Sequence, residues 1–217
     1  MHPDYADSFS EFGKTRELPG CGGRILERQI PSFPYKDGMG CYPFFLCKKW
    51  SLLESDLKEV KKDLVSLALV TDPFGNYNLD ILNKCFEKVV LFKDHFIVNL
   101  SYPISSFVSK SHFRYSQKAL RNVSIEVCDD PLLFFDDWIK MYAFLIKKHG
   151  IKGITAFSKE AFAKQFRVPG LVMFRAECQG STVGINLWFI QENVGYFHLG
   201  ASTDKGYELR VSYALFW

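Results

Sequence analysis

Three runs of strand length in the second half of the chain, separated by two short turns, constrain its fold more than any other feature. The runs are Leu171–Cys178, Ser181–Ile190 and Val194–Ser202. They are rich in Val, Ile, Phe, Trp and Tyr, whose side chains pack well on a pleated sheet. Gln179-Gly180 and Glu192-Asn193 supply residue types that tight turns use. The pattern therefore predicts a three-stranded antiparallel meander.

A short loop and a helix are predicted to follow the meander. The loop is formed by residues 203–206, and the helix begins at Tyr207 and runs to Trp217, where the sequence ends. A strand that leads through a glycine-containing loop into a helix can hold a phosphate group, because unpaired N–H groups and the helix dipole face the ligand. The stretch therefore predicts a site for a phosphate-bearing molecule.

Composition and charge exclude several classes of protein. The chain has 217 residues, of which 47% are hydrophobic and 24% are charged, and this composition indicates a globular protein of one large or two small domains. The net charge of +3 is too small to indicate nucleic acid or a membrane surface as a partner. The longest apolar runs are far shorter than the roughly 20 residues that cross a bilayer, so no membrane span is predicted.

The six cysteines predict neither a metal site nor a disulfide framework. No two of them form a C-x-x-C pair, and none lies at zinc-finger spacing from a histidine. No signal-peptide pattern opens the sequence. We therefore expect reduced, mostly buried thiols in a cytoplasmic protein that carries no metal.

The remainder of the chain is predicted as an irregular arm over residues 1–40 and two series of strands and helices. The first series is Tyr42–Leu46 (strand), Leu52–Asp63 (helix), Val65–Thr71 (strand), Leu79–Phe86 (helix), Val89–Phe92 with Phe96–Leu100 (hairpin) and Ser111–Leu120 (helix). The second series leads into the meander with Val123–Cys128 (strand), Leu132–His149 (helix) and Lys159–Phe166 (helix). Apolar residues at helical spacing identify the helices, and Gly150 ends the longest of them.

The helix over residues 111–120 lies in a cationic stretch that contains no acidic residue. Its basic residues are Lys110, His112, Arg114, Lys118 and Arg121. A helix of this kind usually presents a solvated face. The alternative is a surface that binds phosphates, either those of a nucleotide-bearing donor or those of RNA such as tRNA.

The order strand, two helices, three antiparallel strands, loop and helix resembles the front part of the GNAT N-acyltransferase fold. The amino-acid sequences of several segments also resemble the Fem-type branch of that superfamily, which consists of bacterial acyltransferases with two GNAT modules. The segments of the second half are Gly153–Ser158, Val168–Gly170, Phe174–Ala176, Val183-Gly184, Leu187-Trp188 and Tyr196–Leu199. Those of the first half are Tyr42–Phe44, Thr71–Phe74 and 111–122.

The resemblance covers about residues 41–217 and implies a particular architecture. The fold would be α/β (α+β), with a mixed, mainly antiparallel sheet flanked by helices in each module. A partial first module would occupy residues 41–122, after the arm of residues 1–40. A second module would occupy residues 123–217 and would be short at its C-terminal end, because it would stop after the start of its third helix.

The resemblance also implies an activity, the transfer of an acyl or aminoacyl group to an amine. The donor would be an acyl-CoA such as acetyl-CoA, or an aminoacyl-tRNA, and the acceptor a small molecule or a peptide. The last meander strand and the residues after it would hold the donor: Leu199, Gly200, Ala201, Ser202, Lys205, Gly206 and Tyr207. The usual glycine-rich loop pattern of the family is absent, and Lys205 and Gly206 alone match its chemistry. Contact with tRNA would use Lys110, Arg114, Lys118 and Arg121.

Alternation along the meander strands yields candidate catalytic residues. Tyr196, His198 and Gly200 share one face of the last strand, and Asn186 and Trp188 share one face of the strand before it. If the two faces coincide, these side chains converge beside the donor. Acylation of an amine needs a base and a donor to the oxyanion, and His198 alone among these side chains has an ordinary pKa near neutrality. His198 and Tyr196 are therefore the candidate catalytic residues, and Asn186 and Trp188 the candidate substrate-binding residues.

Structural roles for the same side chains remain open. The structural interpretation, which is the more common one for such residues, makes His198 a histidine packed beneath a helix and Trp188 a core residue. The corresponding alternative function is a truncated, catalytically inactive GNAT-like protein with a binding or structural role.

Overall fold

The computed structural model describes residues 1–217, and the chain divides into two compact units. The first unit comprises residues 1–96 and 160–165, and the second comprises residues 97–159 and 166–217. Each unit contains one four-stranded sheet. The predicted class, a mixed α/β protein with mainly antiparallel sheets flanked by helices, is confirmed.

The first unit is built around a sheet whose strands follow the chain order. Its elements are α1 (Pro3–Asp7), β1 (Lys14–Leu18), β2 (Gly23–Gln29), β3 (Lys36–Gly40), α2 (Leu53–Val60), β4 (Leu64–Ala68) and α3 (Leu79–Cys85). The sheet order is β1-β2-β3-β4, with antiparallel pairs except for the parallel pair β3 and β4. Leu53, Leu57 and Val60 form the buried face of α2, as the helical spacing predicts.

The prediction of an irregular arm over residues 1–40 was wrong, because three strands lie there. Their apolar alternation is weak. Cross-strand ion pairs contribute instead, since Arg16 Nη1 lies 2.9 Å from Glu27 Oε1 and Arg28 Nη2 lies 2.7 Å from Asp37 Oδ2. Opposite charges on neighbouring strands stabilise their pairing, but a search for hydrophobic periodicity does not detect them.

Two other features that were predicted for the first half of the chain are absent. Residues 42–46 form no strand and contribute one isolated bridge, from Phe45 to Thr71. Residues 86–103 contain neither helix nor strand, so the predicted hairpin there was wrong. Its connection, residues 93–95, lacks the Gly or Asn that tight hairpins use, and a short hairpin alone is only marginally stable.

The second unit contains the predicted meander. Its elements are α4 (Lys110–Leu120), β5 (Ser124–Val127), α5 (Phe135–His149), β6 (Leu171–Cys178), β7 (Ser181–Gln191), β8 (Val194–Ser202), α7 (Asp204–Leu209) and α8 (Val211–Leu215), and α6 (Lys159–Gln165) lies between α5 and β6 in the chain. Most of α6 belongs to the first unit, where Gln165 Nε2 donates to Ser8 Oγ at 3.1 Å. The second sheet has the order β5-β6-β7-β8, and all its pairs are antiparallel. Gly150 ends α5 with φ 61°, as predicted.

Helix α4 packs within the second unit, although the resemblance assigned it to a first module. Ala119 and the adjacent Val123 are buried against Ala176 of β6, Val183 of β7 and Val211 of α8. The compact units therefore change at residues 96 and 97, and not at the predicted module boundary of residues 122 and 123. The division into GNAT modules stays a prediction.

A network of charged side chains centred on Arg175 joins β5, β6, β7 and α5. Arg175 is 8% exposed, its Nε donates to Glu126 Oε1 at 2.7 Å, and its Nη2 donates to Glu177 Oε2 at 2.9 Å. Its Nη1 donates to Thr182 Oγ1 at 3.1 Å, and that hydroxyl donates to Asp137 Oδ2 at 2.7 Å. Burial lowers the pKa of Arg175, but hydrogen bonds to both glutamates outweigh burial and raise the pKa above its usual value.

Candidate functional site

A β-bulge at His198 decides which side chains meet on the second sheet. Leu187 of β7 pairs with Leu199 of β8, and the next residue, Trp188, pairs with Phe197. β8 therefore has one residue more than β7 at this point. An extra residue in one strand of a pair interrupts the alternation of its side chains between the two faces.

One face of the strand pair, which we call the aromatic face, presents Asn186, Trp188, Phe197 and Gly200. A Cβ atom on Gly200 would lie 2.5 Å from Asn186 Oδ1, so the glycine leaves space for this amide. The Trp188 ring makes edge-to-face contacts with Phe197, at 5.3 Å between centroids, and with Phe216 after α8, at 5.9 Å. The aromatic face is therefore the face on which α8 packs.

His198 and Tyr196 lie on the opposite face. The His198 ring is 5.2 Å from Phe189 and 6.0 Å from Phe157, and Tyr196 pairs with Phe189 across the strands. The expected convergence of Tyr196 and His198 with Asn186 and Trp188 was wrong. Simple alternation places residues 196, 198 and 200 together, whereas the bulge separates Gly200 from the other two.

Burial lowers the pKa of His198 to about 3. The imidazole is thus neutral at pH 7, but it binds a proton so weakly that it is a poor base for an ammonium group. Catalytic roles for His198 and Tyr196 stay predictions, and the geometry assigns them to the sheet face away from Asn186 and Trp188.

We predict that His198 makes folding stability depend on pH. Its pKa in the folded state is below the value near 6.5 of an unfolded chain, so its contribution is complete above pH 6.5 and is lost as the pH falls toward 3. The free energy of unfolding should fall by about 2 kcal/mol between pH 7 and pH 5 through this group alone. Urea titrations across that range measure the effect. His198→Gln, which cannot be protonated, should remove this part of the pH dependence, and an unchanged slope would contradict the prediction.

Asn186 and Trp188 are the predicted substrate-binding residues, and both carry a hydrogen-bond donor without a partner. Asn186 is 3% exposed, and neither its Nδ2 nor the Nε1 of Trp188 is hydrogen-bonded. A buried polar group left unpaired costs about 1–3 kcal/mol of stability. Two such donors on adjacent positions of one strand face indicate that an acceptor atom from a bound molecule or from ordered water belongs there.

The predicted loop of residues 203–206 is the N-cap and first turn of a helix, so the predicted start of that helix was wrong, and the phosphate site stays a prediction. Helix α7 begins at Asp204 and not at Tyr207, with Thr203 as its N-cap. The Gly206 N–H donates to Thr203 Oγ1 at 3.1 Å, and the Thr203 N–H donates to the Val183 carbonyl oxygen at 3.1 Å. These two N–H groups are therefore occupied within the protein.

The other predicted donor-binding residues have different surroundings. Leu199 and Ala201 pair with β7, and Lys205 Nζ lies 3.1 Å from Glu208 Oε2 on the exposed side of α7. The Tyr207 ring lies beneath Lys148 Nζ, at 3.6 Å from the ring centroid. A cavity of about 210 Å³ is lined by Ser202, Gly206, Tyr207, Arg210, Ser212 and Tyr213.

Sequence reasoning missed a cluster of cationic and aromatic side chains beside that cavity. Arg210 lies over the Tyr115 ring at 4.9 Å from the ring centroid, and Arg114 lies 5.7 Å from the same centroid. Hydrogen bonds from Arg210 and then Arg114 lower the pKa of Tyr115. The other basic residues predicted to contact tRNA, Lys110, Lys118 and Arg121, are exposed along α4 and lie outside this cluster.

Three further observations bear on ligands. No group of three or more His, Cys, Asp and Glu side chains is arranged to hold a metal ion. The six cysteines are free thiols. None of the helices combines the length and the apolar character that crossing a membrane requires.

The sequence matches no protein-family model and no curated protein sequence. Its fold matches solved structures, among them the crystal structure of FemX. That match has a TM-score of 0.64 at 11% sequence identity, and it covers 98% of this chain and 77% of the FemX chain. At this identity the likeness concerns the fold alone. With the two sheets, it confirms the expected GNAT-like mixed α/β architecture.

Proposed function

We propose that the protein is a GNAT-like, Fem-type transferase that moves an acyl or aminoacyl group from a carrier to an amine. The observation that carries the proposal is the pair of unpaired buried donors, Asn186 Nδ2 and Trp188 Nε1. The fold shared with FemX over 98% of the chain supports it. The cysteines are free thiols, which are typical of cytoplasmic proteins, so we assign the proposed activity to the cytoplasm.

The two donors suit the oxygen of the transferred carbonyl group. The neutral amine nitrogen attacks the carbonyl carbon, and the oxygen gains negative charge. The carbonyl group then re-forms, the bond to the carrier sulfur or oxygen breaks, and the departing thiolate or alkoxide takes up the proton that the nitrogen loses. Two N–H groups aimed at this oxygen stabilise the charge as it develops, and the site needs no rearrangement of solvent. Asn186 and Trp188 would provide them, and Gly200 would keep the amide of Asn186 in place because a larger residue would displace it.

Access to the donors would be from the exposed side of the aromatic face. Phe197 is 43% exposed and Phe216 is 54% exposed, and their rings cover Trp188. Exposed aromatic side chains change rotamer readily, within nanoseconds. An acyl group that enters between these rings would bring its carbonyl oxygen to Asn186 and Trp188 and would leave its carrier outside.

We predict that removal of either donor slows transfer by about 100-fold, the usual effect of losing one hydrogen bond to an oxyanion. Asn186→Leu keeps the branching of the side chain, Trp188→Phe keeps an aromatic ring, and each removes the N–H group. Labelled acetyl-CoA and labelled alanyl-tRNA serve as donors, with a mixture of small amines and a lysine-containing peptide as acceptors, and labelled product is measured. Trp50→Phe, a similar change in the first unit, should leave the rate unchanged.

The outcomes of this experiment distinguish the alternatives. Transfer by the two variants at the wild-type rate would contradict the assignment of the site. Transfer from one donor only would identify the carrier. If neither donor yields product or binds in calorimetry, the proposal fails and the alternative is favoured, a catalytically inactive binding or structural protein of the same fold. The occupied N–H of Gly206 and the low pKa of His198 favour that alternative.

A further inference from the structure

An extended segment after α3, residues 88–99, has no hydrogen-bonded partner. It runs without a turn or a bend and belongs to neither a helix nor a strand. No backbone group from Lys88 to Val98 is hydrogen-bonded to another part of the backbone. Six of its twelve residues are Val, Ile or Phe, which favour strands. Unpaired backbone groups on an extended chain form a template on which another strand can pair.

The extended segment also exposes apolar side chains along most of its length. Each of six side chains is between 52% and 104% exposed: Val90, Leu91, Phe92, Phe96, Ile97 and Val98. Together they present on the order of 800 Å² of apolar surface in one copy of the chain, which is comparable to the area that each partner contributes to an interface of standard size. Two copies that meet here would therefore have the area that a stable dimer needs.

The sequence of the extended segment is nearly palindromic about Asp94. Residues at equal distances on its two sides are of similar type: Lys93 with His95, Phe92 with Phe96, Leu91 with Ile97 and Val90 with Val98. In a symmetric antiparallel pair of identical strands, one residue lies opposite its own copy, and residues at equal distances from it lie opposite each other. The register centred on Asp94 places each of the six apolar side chains opposite another. A centre one residue to either side would place Asp94 opposite a phenylalanine.

Contacts with Phe44 show which side chains of the extended segment share a face. Lys93 Nζ lies 5.9 Å from the centroid of the Phe44 ring, and the centroid of the His95 ring lies 4.9 Å from it. Side chains alternate along an extended chain, so Phe92 and Phe96 project from the opposite face. Residues that lie opposite each other in an antiparallel pair project from the same face. The Phe44 rings of two copies would therefore support one face of a shared ribbon, and the phenylalanine pairs would cover the other.

We propose that the extended segment pairs with the same segment of a second copy, as an antiparallel two-stranded ribbon centred on Asp94. Phe92 of each copy would lie opposite Phe96 of the other, and the free backbone groups would gain hydrogen-bonding partners. The two Asp94 carboxylates, which face each other at the centre, are the unfavourable contact of this arrangement. The interface is independent of the proposed transferase activity.

Sedimentation equilibrium of the full chain tests the proposal. Wild-type protein should dimerise at micromolar concentration or below, since interfaces of this size range in Kd from micromolar to picomolar. Phe96→Asp should weaken the dimer by about 10-fold or more, because its carboxylate would lie against Phe92. Phe33→Asp, the same change at an exposed phenylalanine outside the segment, should alter Kd by less than about 2-fold. A monomer at every concentration, or equal losses in both variants, would overturn the proposal.

Two variants at the centre test the register, and misfolding cannot imitate the result expected of them. Asp94→Asn should strengthen the dimer by about 2- to 5-fold, because it removes the facing like charges. With diamide as the oxidant, which takes up two protons and two electrons, Asp94→Cys should form a disulfide between two copies. Lys88→Cys, which is also exposed but lies far from the two-fold axis, should stay unlinked like wild type. A weaker dimer with asparagine, or equal linking of both cysteine variants, would contradict the register.

Two further measurements separate this dimer from other uses of the segment. Asn186→Leu should dimerise with the wild-type Kd even if it is inactive in transfer, so failure of the transferase proposal leaves this test intact. Wild-type protein that stays monomeric but sediments with phosphatidylglycerol vesicles, and loses that binding with Phe96→Asp, would show that the segment binds a lipid surface. That result would overturn the dimer, and so would a dimer whose Kd is unchanged by Phe96→Asp.

Discussion

Replacement of Arg175 by methionine should lower the free energy of unfolding by about 3 kcal/mol. The substitution keeps most of the side-chain volume, so the loss comes from the three hydrogen bonds to Glu126, Glu177 and Thr182. Removing one partner of a buried ion pair commonly costs about 3–5 kcal/mol. We expect the lower end of that range, because Glu126 is 48% exposed and water can solvate it after the change.

Chemical denaturation of three variants tests this expectation. Arg167→Met, which removes an exposed arginine from the same unit, should change stability by less than about 0.5 kcal/mol. In a double-mutant cycle, Arg175→Met with Glu126→Gln should cost less than the sum of the two single changes, because each removes the same ion pair. Additive losses would show that Arg175 acts through contacts other than its ion pair with Glu126, for example the contact of its guanidinium group with the Phe134 ring.

Gly206→Ala should destabilise the second unit by about 2 kcal/mol, although helix propensity alone predicts the opposite sign. Gly206 lies inside α7, where alanine is better than glycine by about 1 kcal/mol. A Cβ atom at this position would, however, overlap the carbonyl oxygen of Val183 and lie 3.0 Å from Ser202 Cβ. The carbonyl oxygen cannot move freely, since it accepts a hydrogen bond from the Thr203 N–H. Overpacking costs about 1–3 kcal/mol or more and therefore outweighs propensity.

A matched glycine makes the comparison interpretable. Gly195 in β8 is exposed, and its nearest neighbour to an added Cβ would be the flexible end of Ile190, at 3.3 Å. Gly195→Ala should be neutral or stabilising by less than about 1 kcal/mol. Thermal unfolding should thus show a lower midpoint for Gly206→Ala alone. A higher midpoint for Gly206→Ala would contradict the prediction, because α7 would then move away from the Val183 carbonyl oxygen of β7 at little cost in free energy.

The sequence predicted the meander well because its signals are local. The bounds of β6 and β8 agree with the prediction, and φ is positive at Gln179 and Gly180, as a tight turn requires. Asn186 and Trp188 were correctly placed on one face, because β7 has no bulge of its own between them. These inferences needed only the residue types and the two-residue alternation of side chains along a strand.

Features that depend on partners distant in the sequence could not be predicted. The bulge at His198 arises from the pairing of β7 with β8, and the amino-acid sequence of β8 by itself does not reveal it. Ion pairs link β1, β2 and β3 across strands, and the left-handed conformation of Arg210 occurs at the junction of α7 and α8. The meeting of Arg210 with Tyr115, which are far apart in the sequence, could be found only after the chain was folded.

The segment without regular structure after α3 has a consequence for how copies of this chain behave in solution. Leu91, Phe96 and Leu100 are exposed by 104%, 102% and 86%. A net charge of +3 on 217 residues provides little mutual repulsion to oppose contact between such segments. Added salt screens that repulsion and leaves the attraction between apolar side chains intact. The protein should therefore associate with itself most readily at high salt concentration. Substitution of charged residues at these three positions would improve its solubility more than substitutions elsewhere.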